Sequence, residues 1–202
     1  LQEARLELAL HQIKPHFLQN ALMSIKVLCR TRPKEAEQAV YDFAVFLRGN
    51  MNALESAEMI LFREECKTIE RYLHIEKMRF GERLQVQWDL QEEKFQIPPL
   101  TIQPLVENAV CHGICQKMEG GTVQIRSFRK NGEICVQILD DGAGFDTEKL
   151  KDADGIAIRN LKLRLKEFLN ADLEIESRKG EGCRQTIHIP WEETEDENYS
   201  DR

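Results

Sequence analysis

The chain has 202 residues, 42% of them apolar and 31% charged, with a formal net charge of -7. That length builds one large or two small cores, and with no run of about 18 apolar positions the sequence gives no candidate membrane-spanning helix. Five of the seven net negatives lie within 191–202, where Glu192, Glu193, Glu195, Asp196, Glu197 and Asp201 face one Arg. The body is close to neutral, which argues against nucleic acid as a partner, because phosphate attraction needs a basic surface.

No signal peptide is visible, and the first residues already follow a helical pattern, so further sequence upstream is expected. Leu6, Leu10, Ile13 and Phe17 recur at four-three-four spacing, the seam of paired helices. Beyond Pro15 the stripe passes through Leu18, Leu22 and Ile25, a drift that fits a proline bend. Pro33 breaks the run, and Ala36, Val40, Phe43, Leu47, Met51 and Leu54 carry a second stripe. Two such helices form an antiparallel hairpin, whose uncovered apolar surface predicts a homodimer built as a four-helix bundle. A third helix over 62–80 sets Cys66, Ile69, Leu73 and Phe80 on one side and stops at Gly81.

The texture changes at Leu84. Residues 85–90 alternate as a strand, 122–128 and 133–139 form a hairpin around Asn131-Gly132, and 172–177 with 185–189 add two strands. Helices are predicted near 101–112 and 157–170. The expected fold class is α+β: a helical domain over 1–82, an α/β sandwich with a mixed sheet over 83–190, and a solvated acidic tail over 191–202. The six cysteines form no CxxC pair and read as reduced thiols. Cys111, His112 and Cys115 lack the second ligand pair of a zinc site.

Five places offer chemistry. His16, beside Phe17 at the border of the stripe, is either a surface histidine or a nucleophile, since neutral imidazole attacks phosphorus without prior deprotonation. Asn20, one turn on, would orient a water or a phosphoryl oxygen beside it. Glu107 and Asn108 near a helix end, followed by His112 and Gly113, suit Mg2+, a hard ion that takes oxygen ligands; the alternative is a plain polar helix face. Asp140-Asp141-Gly142-Ala143-Gly144 follows a strand, where a carboxylate would accept a bond from an exocyclic amine and glycines let backbone approach a flat base. Gly155 to Asn160 follow a polar stretch suited to a nucleotide lid, and Gly180-Glu181-Gly182-Cys183 precede the last strand. Neither a Rossmann fingerprint nor a Walker lysine is present.

In this order the pieces resemble the LytS-like branch of two-component sensor histidine kinases. Pro15-His16-Phe17-Leu18-Gln19-Asn20 is similar to the phospho-acceptor box, and Tyr72-Leu73-His74-Ile75-Glu76-Lys77-Met78-Arg79-Phe80 to the linker helix. Residues 104–113, 140–144, 155–165 and 180–183 are similar to the N box, the G1 box, the GIGLxNxxxRL box and the GxGT turn. The resemblance implies a dimerising hairpin followed by a Bergerat-type (GHKL) ATP-binding domain, with ATP and Mg2+ as cofactors. It implies that His16 accepts the γ-phosphoryl group, Asn108 holds Mg2+, and Asp140 reads the adenine amine. Gly142 and Gly144 shape the base pocket, Gly155 and Asn160 flank the lid, and His112 joins the nucleotide contacts. Glu107 is either a general base or an organiser of the metal shell. The expected partners are a response regulator receiver domain, a second copy, and an upstream sensor and membrane segment, with this portion facing the cytoplasm.

Ala157, Cys111 and Cys183 depart from the glycine, lysine and threonine usual at their positions, and Gln19 replaces an aromatic residue. Two other readings stay open: a nucleotide-holding signalling scaffold, and a Bergerat-fold ATPase or serine kinase.

Overall fold

The computed structural model describes residues 15–55, 58–146 and 156–191. Two helices come first, α1 (Pro15–Thr31) and α2 (Pro33–Glu55). Proline suits a first helical position because its missing N–H would have no partner there, so Pro33 opens α2 one residue after α1 ends. The stripe through Leu6, Leu10 and Ile13 lies outside the described residues. A two-residue strand β1 (Ile60–Leu61) leads into α3 (Phe62–Phe80), which stops at Gly81, where φ is 58° and the N–H reaches the Lys77 carbonyl.

The second half is a five-stranded sheet of β2 (Leu84–Leu90), β4 (Gly121–Lys130), β5 (Glu133–Asp140), β7 (Gly182–Pro190) and β6 (Asp172–Arg178), in that spatial order. β2 and β4 are parallel and the other pairs antiparallel, which makes the sheet mixed. The short β3 (Gln96–Ile97) pairs with β1. Asn131 and Gly132 both take positive φ in the β4–β5 turn, as a two-residue hairpin requires. Alternation gives the sheet one apolar face, with Val123, Ile125, Ile134, Val136, Ile138, Ile187 and Ile189 all buried. Helices α4 (Gln103–Asn108) and α5 (Ile156–Leu169) belong to this half.

Two expectations need correction. The helix predicted over 101–112 is α-helical only as far as Asn108; a π turn (Ala109–Gly113) and a 3-10 turn (Ile114–Gln116) follow. The helix α3 is not one-sided. Phe62, Cys66, Ile69, Tyr72, Leu73 and Ile75 are all buried because α3 packs between the hairpin and the sheet half, in one apolar cluster that runs from Phe17 and Phe46 to Ile189. The hairpin therefore gains cover from α3 as well as from any second copy. It buries Phe17, Ala21, Ile25 and Leu28 of α1, while Leu22, Met23, Val27, Val40 and Tyr41 stay exposed.

Candidate nucleotide and phospho-acceptor sites

Asp140 ends β5, and its carboxyl sits where three glycine-bearing segments converge. Its Oδ1 accepts the Gly142 N–H at 3.0 Å, and Ala143 N–H donates to the Gly113 carbonyl at 3.1 Å. A Cβ at Gly113 would strike the Asp140 carboxyl, and one at Gly142 would strike the Gly113 backbone. Gly144 and Gly182 have φ of 57° and 85°, and a Cβ on either would run into carbonyl oxygens, those of Arg178 and of Asp140. Only glycine allows such approach, so Gly113, the G1 loop and the Gly180–Gly182 turn knit together around one carboxylate. Burial pushes the Asp140 carboxyl up to about 6, against the pull of the Gly142 N–H. A buried acceptor walled by bare backbone fits a flat base carrying an exocyclic amine.

The N-box helix is anchored from outside its own domain. Glu65 of α3, buried, accepts the N–H groups of Ile102 and Gln103 at 2.6 and 3.0 Å, and so caps the start of α4. Desolvation pushes Glu65 up to about 7, with the Gln103 and Ile102 N–H bonds opposing. The Gln103 amide donates to Asn50 Oδ1 of α2 and to Glu107 Oε1, both at 2.9 Å. Asn50 in turn donates to the Phe46 carbonyl at 2.9 Å, which fixes which end of its amide faces Gln103. Both amides are buried, so a polar relay runs from the hairpin to Glu107. Glu107 and Asn108 are half-buried near the end of α4, and the π turn carries His112 out to solvent.

His16 is exposed on α1. The Asn20 amide nitrogen lies 3.1 Å from its Nδ1, as the one-turn spacing predicts. Phe17 is buried against Phe46 and Tyr72, with ring centroids 5.3 and 5.1 Å away, and this locks the rotation of α1 so that the imidazole points outward. Asn160 is exposed on α5, whereas Gly155 lies outside the described residues. Sequence reading passed over Glu65, Asn50 and Gln103. Their signal is a polar residue at an apolar position of a helix: Glu65 falls between Phe62 and Ile69, and Asn50 four residues after Phe46.

Residues 4–84 match the family described as Histidine kinase, and 99–193 the family described as Histidine kinase-, DNA gyrase B-, and HSP90-like ATPase. A Bacillus subtilis relative, the putative uncharacterized protein YwpD, is 36% identical over 96% of this chain and 73% of its own length. This chain belongs to the sensor histidine kinase family, in its LytS-like branch. Among its relatives, the sensor histidine kinase BtsS of Escherichia coli is 33% identical over 95% of this chain, and the sensor protein LytS of Bacillus cereus 30% over 98%. The kinase core spans 34% and 36% of those two proteins. In fold it is similar to the histidine kinase domain of a blue-light activated kinase from Erythrobacter litoralis, with a TM-score of 0.54, 17% identity and 93% of each chain covered. The mycobacterial sensor histidine kinase MprB gives 0.51 at 15% identity, covering 67% of this chain and 97% of its own. The ATPase family match makes this an ATP-binding histidine kinase. Among the described residues no helix is long and apolar enough to cross a membrane.

Proposed function

We propose that this chain transfers the γ-phosphoryl group of ATP to His16 and then to an aspartate of a response regulator receiver domain. One observation carries the reading: the same chain presents an outward imidazole partnered by Asn20 and, in its sheet half, a buried carboxylate walled by glycines. Asp140 accepts the adenine amine, while Gly142 and Gly144 leave room for the ring plane. Asn108 supplies an oxygen ligand of the kind Mg2+ takes, and that ion offsets charge on the phosphates. Asn160, exposed on α5, and His112, exposed after the N box, would contact the phosphates, and the family resemblance adds Gly155 to them. The imidazole nitrogen forms the N–P bond as the bond to the ADP oxygen breaks. Glu107, which accepts a hydrogen bond from Gln103, would take the imidazole proton or order the shell of the metal.

In this reading residues 1–82 and 83–190 are the acceptor and catalytic domains of a homodimer. They are the cytoplasmic portion of a longer cell-membrane protein whose sensor lies upstream. Relatives of which this core forms about a third leave room for such a segment. The test is incubation with radiolabelled ATP. Acid-labile, base-stable label on the wild type and none on His16→Gln is expected. Label that survives His16→Gln, or tight ATP binding with no label on the wild type, overturns the reading.

A further inference from the structure

A second cluster of chemistry-bearing side chains lies on the face of the sheet turned away from the core. Glu133 and Cys135, two apart on β5, project to that face, because Ile134 and Val136 between and beyond them fill the apolar one. Sheet register then sets His188 of β7 directly opposite Cys135, and Asp172 of β6 directly opposite His188, with Glu174 two residues further along β6. Three neighbouring strands, held by their ladders, bring these groups together without help from a loop. His188 Nδ1 lies 3.0 Å from Glu133 Oε2 and 3.9 Å from Cys135 Sγ. Its Nε2 lies 3.5 Å from Glu174 Oε2. One donor atom each from Glu133, Cys135 and His188 falls within 4.8 Å of the others.

We propose that Glu133, Cys135 and His188 form a binding site for a borderline divalent cation of the zinc class, with Glu174 orienting the histidine. A tetrahedral ion with bonds of about 2.0–2.3 Å holds its ligand atoms roughly 3.3–3.8 Å apart, so the donors need to shift only by tenths of an ångström to about one ångström. Mixed sulfur, nitrogen and oxygen donors select against Mg2+ and Ca2+, which take oxygen alone. The imidazole can serve as a metal-binding histidine does: without an ion its Nδ1 donates to Glu133, and on binding Nδ1 turns to the ion while the proton is carried on Nε2, 3.5 Å from the Glu174 carboxylate. A water completes the fourth position.

On binding, the S–H bond breaks, sulfur bonds the ion and the proton goes to solvent. Ion pairing of His188 between two carboxylates explains the imidazole contacts but gives the thiol no part, and the thiol is therefore the discriminator. The cluster sits toward the opposite end of β5 from Asp140, five to seven residues and about 17–23 Å away along the strand, and is thus separate from the nucleotide site.

The experiment is an anaerobic titration of the full chain, stripped with chelator, with Co2+ followed by Zn2+. One equivalent of Co2+ should give tetrahedral d–d bands and a near-ultraviolet thiolate-to-cobalt charge-transfer band. Zn2+ should abolish both and excess Mg2+ neither. Cys135→Ser should lose the charge-transfer band, and His188→Asn should lose the bands while keeping the cysteine. Glu174→Gln should weaken binding about tenfold or more. A wild type without these bands overturns the proposal, as does a charge-transfer band that persists in both Cys135→Ser and His188→Asn, which would place the cation elsewhere, such as at Cys111 and Cys115. Should either variant fail to fold, as judged by its thermal transition, the other decides. Unchanged affinity in Glu174→Gln would remove that residue from the site.

Discussion

Burial pushes the Asp140 carboxyl up to about 6. If, as proposed, this carboxylate accepts the adenine amine, it does so with full strength only when ionised, and affinity for the nucleotide should rise as pH climbs through about 6. The ratio of wild-type to Asp140→Asn affinity for ADP isolates this effect, because phosphate ionisation cancels. The ratio should reach roughly 10- to 100-fold at neutral pH and shrink toward pH 5; a ratio flat across that range contradicts it. Glu65 acts on stability. A carboxyl raised to about 7 makes the folded chain hold a proton that the unfolded chain has released, so its contribution is full below the ordinary carboxylate range and is lost as pH rises through about 7. Asp140 adds a smaller contribution of the same sign, lost through about 6. Urea midpoints should therefore fall between pH 5 and 7.5 in the wild type and fall less steeply in Glu65→Gln. Gly182 is constrained twice, by a φ of 85° and by the Asp140 carbonyl where a Cβ would lie. Gly182→Ala should cost about 1–3 kcal/mol of stability in the same measurement.

Among the elements, α4 is too short to stand alone and is held from two others: α3 caps its first N–H groups through Glu65, and α2 reaches it through Asn50 and Gln103. A shift of either helix is thereby passed to Glu107. If Asn50 and Gln103 work as one unit, Asn50→Leu and Gln103→Leu should each lower the autophosphorylation rate, and the double variant should do little more than either. The coupling expected in that cycle is about 0.5–3 kcal/mol, and additive losses would separate the two amides. In the proposed reading Asn20 on α1 would serve a different step. Its amide lies 3.1 Å from the His16 ring; if it orients the water that attacks the regulator's phosphoryl aspartate, Asn20→Ala should reduce regulator dephosphorylation more than kinase activity. Equal loss of both activities would remove that distinction.

For the whole molecule, the apolar residues left over after folding indicate where a second copy belongs. Leu22, Met23 and Val27 on α1 and Val40 and Tyr41 on α2 remain outside the continuous core. The chain should sediment as a dimer, and Val27→Glu combined with Tyr41→Glu should give a folded monomer. A persistent dimer would move the interface elsewhere. What the sequence by itself determined was the order of elements, their two periodicities, the positive-φ turn at Asn131-Gly132 and the family to which the chain belongs, because these are written in residues close together in the chain. It also located the helix stop at Gly81. Only the tertiary structure decided that α3 is buried on two sides, that the N-box helix gives way to a π turn at Ala109, and that Glu65, Asn50 and Gln103 anchor that helix. The reason is physical. A period of 3.6 or 2 tells which face of an element turns inward but not what it meets there, and a buried amide or carboxylate is stabilised by partners 37 to 53 residues away.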